Sequence, residues 1–253
     1  MKKLLMVPTE NLKEEPFASV LCYPKASEAE LQKRLKELRE YNIKAVEFTG
    51  KASAFNVPVL GKGFVGIVVA AYLDGQRAAL KIRRVDADRR GLQHEAQMLA
   101  KANALEIGPK LRAASKNFLL MQIIDGALLP DWLKTHKKKV HVRRVLDEVL
   151  EQCWKLDIAG LDHGELSKAT KHIIVDQQQK PWIVDFETAS VTRRTANVTS
   201  VCHFLFISGG GVAKAVTDIL GERKREKIIW TLKLYKSNRT QENFKRVMHE
   251  CLF

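Results

Sequence analysis

Cysteine is scarce in this 253-residue chain, with four residues in all: Cys22, Cys153, Cys202 and Cys251. No two stand at C-x-x-C spacing, so neither a thiolate zinc site nor a redox dithiol is indicated. Long apolar runs are missing as well. The opening Met-Lys-Lys-Leu-Leu-Met is briefly apolar, but Pro8, Glu10 and Lys13 stop it short of a signal-peptide core. No later stretch is long enough to span a membrane. These shortages lead to the expectation of a reduced, cytoplasmic protein with no membrane partner. Acidic residues are the third shortage: 29 Asp and Glu stand against 43 Lys and Arg, a formal net charge of +14. That excess favours an anionic partner, whether nucleotide, nucleic acid or acidic surface. A soluble basic protein from a Lys/Arg-rich proteome has the same balance. What is present is ordinary for a globular protein, at 45% hydrophobic and 28% charged residues. The length suffices to bury a sizeable core in one domain or two closely packed lobes.

One stretch, residues 60–81, organises the rest. It carries Gly61, Gly63 and Gly66 in a G-x-G-x-x-G-x-V pattern closed by Val68. Two unrelated phosphate-binding designs share those glycines, and the residues behind the third glycine separate them. In a dinucleotide fold the third glycine opens a helix. Here residues 67–72 are apolar and rich in β-branched side chains, Asp74-Gly75 is a hairpin turn signal, and residues 77–83 read as a second strand. Strand, glycine loop, strand, turn and a strand bearing a lysine is the order of a protein-kinase phosphate clamp. Glycines let the backbone approach phosphates with no Cβ in the way. Lys81 is the strand lysine that would meet the phosphate oxygens. A glycine-rich hairpin with a surface lysine is the alternative this stretch alone leaves open.

Ahead of it, residues 1–26, with Pro8, Pro16 and Pro24, suggest an irregular lead-in with a short strand over 17–22. Ser27-Glu28-Ala29-Glu30 is a capping box for a helix with the stripe Leu31, Leu35 and Leu38, a solvated charged face, and a stop near Asn42. Residues 44–49 read as a strand and 50–58 as a connection. Behind Lys81, residues 83–90 form a charged loop. A helix over about 91–103 then sets Leu92, Ala96 and Leu99 on one face. Glu95 within it has the spacing to pair with Lys81 and hold it on the phosphates; a solvated helical carboxylate is the plainer alternative. Gly108-Pro109 breaks the chain, and residues 118–124 read as a buried strand. Residues 134–144 are the densest basic run. A helix over about 140–158 comes next, with the apolar face Val145, Leu146, Val149, Leu150, Cys153, Trp154 and Leu156. Residues 212–253 form a basic helical tail behind Gly209-Gly210-Gly211. Trp230 and Tyr235 in it would suit base stacking, although core packing at helical spacing is the commoner use.

The second chemical cluster starts at Asp162-His163-Gly164-Glu165-Leu166-Ser167, continues through Lys171-His172-Ile173-Ile174-Val175, and closes with Val184-Asp185-Phe186-Glu187-Thr188-Ala189-Ser190. On these motifs, in this order behind the glycine loop, the chain resembles the small archaeal-type predicted serine/threonine kinases. Those are relatives of the RIO family and of the small kinase of the KEOPS complex, and the resemblance covers about residues 58–206. It implies an α+β, two-lobed protein-kinase-like fold. An N-terminal extension (1–50) would pack on an antiparallel-sheet upper lobe (51–124), with a reduced, mostly helical lower lobe (125–253). It also implies ATP with Mg²⁺ or Mn²⁺ as cofactors, and phosphoryl transfer to a serine or threonine hydroxyl of a protein substrate. In that reading Gly61, Lys62, Gly63, Phe64, Gly66 and Val68 cover the nucleotide. Ala79 and Met121 line its pocket, and the backbone of Gln122, Ile123 and Ile124 bonds the adenine edge. Lys81 holds the phosphates and Glu95 orients Lys81. Asp185 binds the metal with His172 as helper, and Glu165 accepts the proton of the attacking hydroxyl.

Departures from the kinase pattern are concentrated in the catalytic loop. Glu165 stands in place of the catalytic aspartate, with the same charge and one more methylene. The metal-binding asparagine belongs five residues on, where Thr170 stands; two inserted residues bring His172 to the position before Ile-Ile-Val. Glu187 replaces the glycine of D-F-G, as a second metal carboxylate or as a stiffer turn. No A-P-E motif comes after it, and residues 197–207 read as an immediate helix, so no long phosphorylation-controlled loop is expected. Three readings remain open. The first is an active atypical protein kinase. The second is an ATP-binding pseudokinase or scaffold with an impaired catalytic loop. The third is a nucleic-acid-associated protein that contacts RNA or a ribonucleoprotein through its basic clusters. A small-molecule phosphotransferase shares the same fold class.

Overall fold

The computed structural model of the chain describes residues 5–88 and 91–253. The first residues of the apolar start, and Arg89 and Arg90 of the expected charged loop, lie outside the described residues. The chain divides into two compact units: Met1–Gln97 with Lys110–Ile123, and Met98–Pro109 with Ile124–Phe253.

The first unit contains β1 (Leu5–Pro8), α1 (Phe17–Leu21), α2 (Glu28–Glu40), β2 (Ile43–Phe48), β3 (Ala52–Ala54), β4 (Val57–Val59), β5 (Gly61–Lys62), β6 (Gly66–Leu73), β7 (Gln76–Arg83), the start of α3 (Gln93–Asn103), β8 (Leu111–Ala114) and β9 (Phe118–Met121). Its main sheet runs β1-β2-β6-β7-β9-β8, with β5 also paired to β6. Every pair is antiparallel. The Asp74-Gly75 signal closes the β6–β7 hairpin with φ of 49° and 73°, both positive as a tight right-twisted turn requires. Strand faces alternate, and the register Val68–Lys81–Leu119 carries that alternation across three strands. One face holds Ile67, Val69, Ala71, Ala78, Leu80, Ile82, Phe118 and Leu120, all buried in a core with Leu12, Val20, Leu31, Leu35 and Leu38. The other face holds Val68, Ala70, Ala79, Lys81, Leu119 and Met121. The alternation therefore puts Lys81 opposite the main core, and residues 9–40 are what cover the core side.

Several expectations need correction. Of residues 17–22, Phe17–Leu21 form helix α1 and Cys22 caps it, in place of a strand. They lie against the core face, where Phe17 stacks on Phe48 at 5.0 Å, with no strand edge to pair with, so the backbone must satisfy itself internally. The charged face of α2 is not all solvated: Arg34 is fully buried. It lies on the same i, i+3, i+4 stripe as Leu31, Leu35 and Leu38. Its Nη1 donates to the carbonyls of Leu21 and Arg83, both at 2.6 Å, and its Nε to Glu30 at 2.8 Å. Ser27 does cap α2, accepting from the Glu30 N–H at 3.4 Å. The connection at 50–58 contains the β3–β4 hairpin. The strand expected over 118–124 ends at Met121, and the Gln122 N–H turns to the Lys110 carbonyl at 2.8 Å.

The second unit contains the end of α3, β10 (Gly126–Leu128), α4 (Leu129–Thr135), α5 (Lys139–Ile158), β11 (Ile173–Asp176), β12 (Pro181–Ile183), α6 (Asn197–Cys202), α7 (Gly211–Leu220), α8 (Arg225–Ser237) and α9 (Gln241–Leu252). A small antiparallel sheet runs β10-β11-β12. The apolar stripe of α5 from Val142 to Leu156 is buried at the expected positions, with Trp154 half-exposed at its border and stacked on Phe244 at 5.1 Å. The helix begun at Asn197 passes into a π-helical turn over His203–Ile207. No single helix among the described residues is long and apolar enough to cross a membrane. Trp230, expected in the core, is 57% exposed. The buried stripe of α8 is Ile228, Thr231, Leu232 and Tyr235, and Trp230 falls outside that periodicity.

Candidate functional site

In the first unit the glycine loop joins β5 to β6. Its turn is closed by the Gly63 N–H donating to the Gly66 carbonyl at 2.8 Å. At Gly66 the chain has no room for a side chain: a Cβ would lie 2.9 Å from the Ile82 carbonyl oxygen and 3.0 Å from Lys81 Cγ. Phe64 projects from the loop at 95% exposure. Lys62 places its ammonium 4.4 Å from the centre of the Tyr23 ring. Arg84, expected only as part of a charged loop, braces the glycine loop: its N–H donates to the Val65 carbonyl at 2.8 Å and its Nη1 to the Gly63 carbonyl at 3.2 Å. Lys81 and Glu95 meet at 2.8 Å, and both are nearly withdrawn from solvent. The pairing read from their spacing is therefore present. Leu92, just before α3, and Ala96, one residue after Glu95 on it, pack with Val65 and Leu119, which fixes the glutamate on the lysine-bearing face of the sheet. Val68, Ala79 and Met121 share that face with Lys81, as β register requires.

In the second unit, Glu165 ends the His163-Gly164-Glu165 loop and opens a short 3₁₀ turn, Leu166–Lys168. Gly164 has a φ of +90°, a region that disfavours side chains, and a Cβ there would collide with the Arg193 guanidinium. His172 directly precedes β11, with its carbonyl accepting from the Val184 N–H at 3.0 Å. Asp185 directly follows Val184, at a φ of +69°, in the left-handed region that is unusual for an aspartate. One donor atom from each of Glu165, His172 and Asp185 lies within 4.8 Å of the others. This set, two carboxylates and an imidazole, suits a divalent cation. His163 is fully buried, with Nε2 at 3.1 Å from the Val184 carbonyl. Burial lowers its pKa to about 4, so the ring is neutral and its Nε2–H donates.

Apart from Asp162, sequence reasoning missed the residues that hold this loop. Asp157 on α5 accepts from the Asn197 N–H (2.9 Å), Asn197 Nδ2 (2.8 Å), the Val198 N–H (3.2 Å) and the Tyr235 hydroxyl (2.9 Å). Asn197 Oδ1 in turn accepts from the His163 N–H at 2.8 Å. Asp162 accepts from Arg193 Nε at 2.6 Å and the Ala196 N–H at 2.8 Å. Asp162 opens the catalytic-loop cluster, but Asp157, Asn197 and Tyr235 stand in no recognisable motif. A buried carboxylate on an otherwise apolar helix stripe was the one available signal, since Asp157 follows Cys153 and Leu156 on the buried face.

A glycine loop over a buried lysine–glutamate pair, carried by an antiparallel sheet and followed along the chain by a helix-rich unit, places the protein in the two-lobed, protein-kinase-like class. Within that class the RIO domain family model matches residues 66–199, more than half of the chain. The chain belongs to the RIO family of atypical, kinase-like, ATP-binding proteins. A relative described as "Uncharacterized protein MJ1211", from Methanocaldococcus jannaschii, is 30% identical over 100 residues, covering 40% of this chain and 83% of that protein.

Proposed function

We propose that this chain transfers the γ-phosphoryl group of ATP to a hydroxyl of a protein substrate. The observation that carries the reading is the buried Lys81–Glu95 pair at 2.8 Å. A lysine so placed is held in position, which is what a phosphate-holding group needs. Gly61, Gly63 and Gly66 would cover the phosphates, with Lys62, Phe64 and Val68 around them. Ala79 and Met121 would line the adenine side. The Gln122 N–H is already bonded to Lys110, which leaves the Gln122 carbonyl and the backbone of Ile123 and Ile124 for the base edge. Asp185 and His172 would hold the divalent ion, whose contribution is to neutralise charge on the transferred group. Glu165 would accept the hydroxyl proton, a role typically worth about 10²–10⁴ in rate. The excess of basic residues suits an acidic or ribonucleoprotein setting for the substrate in the cytoplasm.

A second reading, ATP binding without transfer, has one observation in its favour: Glu165, one methylene longer than the aspartate it replaces, sets Oε2 3.8 Å from His172 Nε2. Labelled ATP with Mg²⁺ or Mn²⁺ separates the two. Wild type should label itself or a generic protein acceptor, and Lys81→Ala and Asp185→Ala should each lose at least about 100-fold of that rate. ATP raising the melting temperature with no label in any protein would replace the first reading by the second.

A further inference from the structure

His172 is poorly explained by phosphoryl transfer with Mg²⁺, a hard ion that prefers oxygen donors to an imidazole nitrogen. Yet the ring is firmly placed. Its side chain is 12% exposed. It stands edge-on to buried His163, with ring centres 5.4 Å apart. Neither ring nitrogen makes a hydrogen bond among the described residues. Nδ1 is buried without a partner, and Nε2 lies 3.8 Å from Glu165 Oε2, beyond hydrogen-bond reach. Buried polar groups are rarely left in that condition.

The neighbours of the ring suggest what it faces. Donor atoms of Glu165, His172 and Asp185 lie within 4.8 Å of one another. Two ligands each about 2.1 Å from one ion stand about 3–4 Å apart, so the spacing is close to that of side chains sharing a cation. The backbone sets each donor separately: the 3₁₀ turn after Glu165, strand β11 after His172, and the positive φ of Asp185. We infer that Glu165, His172 and Asp185 form a single cation site whose mixed oxygen and nitrogen donors select a first-row transition ion of the Mn²⁺ class over Mg²⁺. This deepens the kinase reading by naming its metal. It rests on that reading only for the use of the ion, since ion binding stands by itself. Glu165 keeps a second oxygen, Oε1, for the acceptor hydroxyl.

The test measures Mn²⁺ and Mg²⁺ affinity of the nucleotide-free full chain by calorimetry, and nitrogen coupling to bound Mn²⁺ by pulsed electron paramagnetic resonance. Wild type should bind Mn²⁺ at least about tenfold more tightly than Mg²⁺ and show the coupling. His172→Asn should abolish the coupling and most of the preference while keeping an oxygen-ligated ion; Glu165→Gln should weaken both ions. Equal affinities in wild type, or coupling that survives His172→Asn, overturns the inference. If His172→Asn fails to fold, the wild-type ratio and coupling decide alone. Labelled-ATP transfer run in parallel separates the two claims. Nitrogen-ligated Mn²⁺ without transfer leaves the site and removes the kinase reading. Transfer supported equally by both ions without nitrogen coupling leaves the kinase reading and removes the site.

Discussion

A lysine ammonium taken out of water needs an opposite charge at close range, and Lys81 finds it in Glu95 at 2.8 Å. Removing one partner of such a pair leaves an uncompensated buried charge, which typically costs about 3–5 kcal/mol. Glu95→Gln should therefore lower stability by about 3 kcal/mol in urea denaturation and weaken ATP binding at the same time. Lys81→Met combined with Glu95→Gln should cost clearly less than the sum of the two single changes, because no lone charge remains. Strict additivity in that double-mutant cycle would show that the two side chains do not interact. This pair was legible in the sequence because each residue sits in a local pattern, a strand after a hairpin turn and a helix after a loop. Arg34 was not legible: its acceptors, Leu21 and Arg83, are brought to it by chain segments far apart in sequence.

At the scale of elements, the catalytic loop is held by α5, α6 and α8 together. Asp157 ties the start of α6 to Tyr235 of α8, and Asn197 passes the restraint to the His163 backbone. Tyr235→Phe removes one hydrogen bond to a charged acceptor and should cost about 1.5–3 kcal/mol with little effect on the ATP-induced shift in melting temperature. Asp157→Ala strands several donors at once and should cost more than Tyr235→Phe, with a fall in phosphoryl transfer beyond what the stability loss explains. Equal loss in both variants would mean that Asp157 acts only through Tyr235. Periodicity announced α5, but nothing in it announced which buried polar residue of that helix would be shared. The sharing spans 78 positions along the chain.

On the scale of the whole molecule, the helical segment before β2 is what keeps the core face of the main sheet from water. Leu31, Leu35 and Leu38 lie over Ile67, Val69, Leu80 and Phe118 in one core. Burying each such side chain contributes about 1.5–3 kcal/mol. A chain beginning at Gly50 should therefore be insoluble, or should bind a hydrophobic dye strongly and melt without cooperativity. A soluble, cooperatively melting truncation that still binds ATP would show the segment to be dispensable.

The sequence by itself determined the glycine loop, the β6–β7 hairpin, the lysine and its glutamate, and the order of motifs that marks a kinase-like chain. These depend on signals within a few residues of one another, such as an Asp-Gly turn, strand alternation or a capping serine. Only the tertiary structure decided that residues 17–21 are helical, that Arg34 is buried and Trp230 exposed, and that a Glu165 oxygen joins donor atoms of His172 and Asp185 within 4.8 Å of one another. Those outcomes depend on which surfaces meet, and a local pattern does not encode its distant neighbours.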